Sequence, residues 1–181
     1  MVARIIWING PFGVGKTTLA RNLAAAIGQS IILDPERLGF MLWNQIPAVF
    51  HAGEMECEPV WRKTLLCMLQ STAQTYDWPI IVPMMIARPQ VHDEIIGGLA
   101  QAEVSISQFT LLAEPKSLLA RLQARGDGPG SWHARQVARC VDELRHPRYA
   151  EHVDTTAMFP RDVVQHLVTR LSIPLPQRNL S

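Results

Sequence analysis

The chain has 181 residues, 48% of them apolar and 18% charged, with a formal net charge of +1. That length suits one domain with a sizeable core, and the composition excludes a disordered chain. A net charge so close to zero supplies no field favouring nucleic acid or an anionic membrane, so each basic residue must be judged by its neighbours.

In chain order, the apolar run ARIIWING (3–10), closed by Asn-Gly, predicts a buried strand. Lys16 to Ile27 favours a helix that Gly28 ends. SIILD (30–34) reads as a second buried strand, followed by helical stretches at 36–43 and 59–76. PIIVPMM (79–85) predicts a third strand, residues 89–102 a helix and SISQFTLLA (105–113) a fourth strand. A helix over 115–125, the loop GDGPG (126–130), a helix over 132–145, a short strand at 152–156 and a last helix over 160–171 complete the pattern. Strands alternating with helices mean βαβ units, hence an α/β fold with a mostly parallel five-stranded sheet covered on both faces. Cys57, Cys67 and Cys140 show no paired spacing, which predicts buried small hydrophobes in a reducing cytoplasm. No apolar run approaches the roughly 18 residues needed to span a bilayer, and the six histidines lack metal-ligand spacing and read as structural or surface residues.

Gly10-Pro11-Phe12-Gly13-Val14-Gly15-Lys16-Thr17 fills every fixed position of G-x-x-x-x-G-K-[ST] between a strand and a helix. Glycines let backbone N–H groups turn inward around an anion, and the helix start adds its positive end. This motif predicts a phosphate-binding loop with Lys16 at the β- and γ-phosphates, Thr17 on Mg²⁺ and Thr18 towards the α-phosphate.

In an open parallel sheet, ligands bind beyond the carboxyl ends of the strands. That places Asp34 opposite the phosphates, as a substrate or proton-accepting carboxylate, as the cap of the next helix, or as both. Arg37 is a candidate for gripping a second substrate. Arg121 and Arg125 are four apart, as are Arg135 and Arg139 beyond the Gly/Pro loop. Their spacing suggests two lid helices that bring positive charge over a transferring phosphoryl group. The third strand ends in Pro83-Met84-Met85 without an acid for Mg²⁺, and its methionines suit an apolar substrate wall or the core.

The segments IIWINGPFGVGKT, DPERLGF, IIVPMMI, FTLLAEPKSLLARLQAR and SWHARQVARCVDEL, in this order, resemble the ATP-binding tunicamycin-resistance proteins, a nucleoside/nucleotide-kinase-like branch of the P-loop proteins. The resemblance implies an adenylate-kinase-like three-layer core with ATP on Gly10 to Thr18. It also implies Arg121 near the adenine, Arg125 near the phosphates, Arg135 and Arg139 in the lid, and a substrate-binding or base carboxylate at Asp34. A tunicamycin-like nucleoside antibiotic is the small ligand it suggests. Three activities follow as expectations: transfer of the ATP γ-phosphoryl group to that ligand, ATP-dependent sequestration without transfer, or a housekeeping small-molecule kinase. Nucleic acid and stable membrane attachment are not expected. The layout is a single kinase-like domain over residues 1–175, with the lid at about 121–145 and a short tail over 176–181.

Overall fold

The computed structural model describes residues 4–149 and 151–172, so the expected tail at 176–181 lies outside the described residues. Five parallel strands form one sheet: β1 (Ile5–Asn9), β2 (Ile31–Ile32), β3 (Ile80–Pro83), β4 (Ile106–Leu112) and β5 (Glu151–Asp154), in the order β2-β3-β1-β4-β5. Among the described residues seven α-helices accompany them: α1 (Lys16–Ile27), α2 (Pro35–Gln45), α3 (Pro59–Thr75), α4 (Pro89–Gln101), α5 (Pro115–Ala124), α6 (Trp132–Leu144) and α7 (Pro160–Leu171).

The centre of the sheet explains the apolar opening of the sequence. β1 lies between β3 and β4, all five of its residues are buried, and its side chains alternate between two cores. Ile6 and Ile8 join a cluster with Leu19, Leu23, Phe109 and Leu167, while Ile5 and Trp7 join one with Trp61, Leu65, Ile80 and Ile95. A strand buried on both faces has no polar side to display, so its run is continuous rather than alternating.

The boundaries differ from the expectation where tertiary pairing decides them. β2 shrinks from the expected 30–34 to two residues, because only Ile31 and Ile32 find register partners, Ile80 and Ile81. α2 begins at Pro35 and runs to Gln45, longer than the expected 36–43. β5 ends at Asp154, after which Thr155 turns both its N–H (2.7 Å) and its hydroxyl (3.0 Å) to the Leu112 carbonyl. Three short 3-10 turns at Ala48–Phe50, Met55–Cys57 and Pro147–Tyr149 were not expected from the sequence. Pro83 fits because Met84 N–H points to Ile8 O (3.1 Å) on the β1 side. Strand N–H groups alternate in direction, so the missing donor of Pro83 faces the side where β2 has already ended.

Of the cysteines, Cys140 is buried as expected, Cys57 is half-buried and Cys67 is exposed on α3, which corrects the reading of all three as buried. Among the described residues, no helix is long and apolar enough to cross a membrane.

Candidate active site

β1 delivers the chain into the loop at residues 10–15, and Asn9 fixes the departure. Fully buried, Asn9 accepts the Gly10 N–H (2.8 Å) and the Ile86 N–H (3.0 Å) at Oδ1 and donates from Nδ2 to Ile86 O (3.0 Å). One side chain thus ties the loop's first turn to the segment after β3. Asn9→Ala strands those backbone groups away from water. It should cost roughly 3 kcal/mol or more, lowering Tm by on the order of 6–12 °C, as differential scanning calorimetry would measure.

Gly10 could carry no side chain: a Cβ there would lie 2.6 Å from Leu111 O and 2.8 Å from Val14 Cγ1, at φ +144°. Gly15, at φ +98°, forms the start of α1 and has no side chain to cap it, so the first-turn N–H groups are left for an incoming anion. Lys16 Nζ donates to Gly10 O (2.8 Å) and Pro11 O (3.1 Å), lying back along the loop. Burial lowers its pKa to about 8, against the opposing pull of Glu36, which favours the charged form. Thr17 and Thr18 are exposed in the same first turn.

Two cavities flank this loop. The first, of about 220 Å³, is lined by Gly13, Val14, Gly15 and Thr18, then by Leu19, Arg121, Thr155, Met158 and Val163. Arg121 Nη2 donates to Thr155 O (3.1 Å), which ties its guanidinium to the turn after β5 in the cleft wall. The second, of about 370 Å³, is an aromatic and acidic chamber. Phe12 comes from the loop, Glu36, Phe40 and Trp43 from α2, Gly53 to Glu56 from the α2–α3 connection, Met84 and Met85 from beyond β3, and Trp132, His133 and Arg139 from α6. Phe12 bridges the loop to α6, with ring centroids 5.3 Å from Trp132 and 4.9 Å from His133.

The structure distributes the expected residues unevenly. Asp34 Oδ1 accepts the Glu36 N–H (3.0 Å), which makes it the cap of α2, with Pro35 at the first helical position. It stands beyond the carboxyl end of β2, while Glu36, two residues on, lines the chamber. Arg37 is exposed and is not among the residues lining either cavity. Arg121 and Arg125 do not act as a pair: Arg125 lies just past α5 and reaches Asp127 (2.5 Å) instead. His133 Nδ1 lies 2.9 Å from the other oxygen of Asp127. The Arg125 contact first, and His133 second, hold the Asp127 carboxyl below the usual range. Arg135 donates to Gly130 O, and Arg139 reaches Glu143 at 3.1 Å. The expected arginine face of α6 is therefore a mixed-charge face at this position, and the helix's other side, Val137, Cys140, Val141 and Leu144, is buried.

Sequence reasoning missed the acids of the chamber. Glu56 is buried, accepts the Ala87 N–H (3.3 Å) and pairs with Arg88 (3.3 Å); burial raises its pKa despite these contacts. Glu54 pairs with Arg88 at 2.8 Å. His133, read as structural or surface, stands in the chamber wall. No local spacing marks the acids, because a connection without helical or strand period brings them in. Met84 and Met85 line the chamber, as the apolar-wall alternative anticipated.

Among the described residues no group of three or more His, Cys, Asp and Glu could hold a metal ion.

Residues 5–147 match the AAA domain family. No curated protein sequence matches the chain. Among solved structures, the tunicamycin resistance protein of Deinococcus radiodurans is 32% identical with a TM-score of 0.82, over 96% of this chain and 98% of that one. A gluconokinase from Sinorhizobium meliloti 1021 (16%, TM-score 0.65, 92% and 90% covered) shares the fold. So does a shikimate kinase from Bacteroides thetaiotaomicron (16%, 0.61, 93% and 98%). A matched phosphate loop at the carboxyl edge of a β2-β3-β1-β4-β5 sheet, together with these likenesses, means that the chain belongs to the AAA domain family and, within the P-loop kinase-like proteins, to the tunicamycin-resistance family.

Proposed function

We propose that this protein transfers the γ-phosphoryl group of ATP to a hydroxyl of a small ligand held in the aromatic chamber, a nucleoside antibiotic of the tunicamycin type being the leading candidate. The observation that carries the reading is that one loop contributes walls to two cavities: Gly13, Val14, Gly15 and Thr18 to the cleft, and Phe12 to the chamber. A donor and an acceptor placed on opposite sides of that loop would meet at Lys16.

The adenine would lie in the cleft beside Arg121 and Thr155, with the phosphates on the α1 start and Lys16. Thr17 would hold Mg²⁺, which when bound neutralises phosphate charge. Asp34 takes the proton of the acceptor hydroxyl as its oxygen bonds to the γ-phosphorus. The bond from that phosphorus to the β–γ bridging oxygen breaks, and ADP leaves with the electron pair. Arg125, Arg135 and Arg139 exchange their present partners for phosphate oxygens as the 126–131 loop closes, and closure excludes water. Arg37, exposed on α2, serves any part of the ligand that projects beyond the chamber. This chemistry suits a cytoplasmic protein with access to ATP.

A second reading, ATP-dependent sequestration of the ligand without transfer, draws on the bare end of β3. Pro83, Met84 and Met85 stand there, where P-loop enzymes commonly place an acid for Mg²⁺. Incubation with Mg·ATP and tunicamycin, followed by mass spectrometry of the drug, separates the two, with Lys16→Ala as the blank. One added phosphoryl group, seen only with the intact protein, supports transfer. Unmodified drug bound in an ATP-dependent way supports sequestration. Unmodified and unbound drug rejects tunicamycin as the ligand.

A further inference from the structure

The chamber is rich in carboxylates, and its cations are already engaged. Arg139 stands in the wall but is shared by Glu143 at 3.1 Å and Glu54 at 3.9 Å. Arg88, behind the wall, serves Glu54 and Glu56. Glu36 differs from these acids: among the described residues its carboxylate has no ion-pair partner within 4.0 Å. Its charge favours the protonated form of Lys16, which bound phosphates would claim. Glu36, Glu54 and Glu56 thus line the chamber beside a single arginine, Arg139, and Arg88 behind the wall is taken by Glu54 and Glu56.

The remaining surface is aromatic. Phe12, Phe40, Trp43 and Trp132 bring aromatic rings to the chamber wall. Such faces accept a planar or pyranose ring, and ionised carboxylates accept hydrogen bonds from hydroxyls. An acidic ligand would instead bring its charge against Glu36, the chamber acid without an ion-pair partner, and like charges repel. The γ-phosphate across the loop would add to the repulsion. Arg139 in the same wall keeps the chamber from being a general site for cations.

Resting on the proposed function, we infer that the chamber selects an uncharged, hydroxyl-bearing ring compound and rejects an acidic one, and that Glu36 sets this choice. Glu36 here is a specificity residue, separate from the proton-accepting role given to Asp34.

Two nucleosides of nearly equal shape test this: 5-methyluridine, which is uncharged, and 5-carboxyuridine, which is an anion near neutral pH. Trp43 and Trp132 in the wall supply the fluorescence signal. Binding of a non-hydrolysable ATP analogue with Mg²⁺ is measured first, so that the nucleotide site is read separately from the chamber. With the analogue bound, the uncharged nucleoside should bind at least on the order of tenfold more tightly than the anion. Glu36→Gln, an exposed change that should not disturb the fold, should bring the two affinities to within about threefold. Three results overturn the inference while leaving the nucleotide site standing: equal affinities in the unaltered protein, a gap that survives in Glu36→Gln, or no binding of either nucleoside beside a bound analogue. Failure of the analogue itself to bind would instead defeat the transfer reading.

Discussion

Lys16→Ala is expected to lower phosphoryl transfer by on the order of 10²–10³-fold while the protein stays folded. Lys16 Nζ has two backbone carbonyls as partners, those of Gly10 and Pro11, and both belong to a loop that is held independently by Asn9. Truncation therefore removes charge from the phosphates without removing the loop's anchor. Circular dichroism and the thermal midpoint should change little, and single-turnover transfer should carry the loss. The depressed pKa of about 8 adds a second readout. Phosphates favour the charged lysine, so nucleotide binding above about pH 8 should take up protons, and affinity should fall as pH rises through that value. Calorimetry in two buffers of different ionisation enthalpy measures the uptake, which should vanish in Lys16→Ala. For the nucleotide-free protein the sign is reversed. The unfolded chain binds more protons than the folded one between about 8 and the ordinary lysine value of 10.5, so this residue's penalty on folding fades as pH rises across that window.

Asp34→Asn should cut transfer by roughly 10²–10⁴-fold if the carboxylate accepts the proton of the attacking hydroxyl. Asparagine is chosen because it caps a helix as well as aspartate does. It keeps an oxygen for the Glu36 N–H now 3.0 Å from Oδ1, so α2 and the chamber wall it carries should stay in place. The variant thus separates cap from base. A loss of less than about tenfold, with ligand binding unchanged, would assign Asp34 to the cap alone. Asp34→Ala then provides the contrast: loss of the cap should cost about 1 kcal/mol of stability, a cost the asparagine variant should escape.

How far the sequence could be read depended on the range of the interactions involved. The loop from Gly10 to Thr17 was legible because its chemistry is local: backbone N–H groups, a helix start, a lysine and a hydroxyl lie within eight consecutive residues. The strands were legible as apolar runs, and one helix start through its cap, Asp34, whose Oδ1 accepts the Glu36 N–H (3.0 Å). The length of β2 was not legible, because a strand ends where its neighbour stops offering partners. The different partners of Arg121 and Arg125 were not legible for a related reason. The helix ends at Ala124, and Asp127, in the loop read only as flexible, takes the second arginine.

The sequence by itself determined that this protein folds as an α/β sheet with a phosphate loop at one edge, because those features rest on period, turn chemistry and residues close in the chain. The tertiary structure alone decided which residues line the chamber beside that loop. Glu36, Glu54, Glu56, Trp132 and Arg139 come together from α2, an irregular connection and α6. Their adjacency arises where chain segments cross over the carboxyl edge of the sheet, and nothing in their local spacing encodes that crossing.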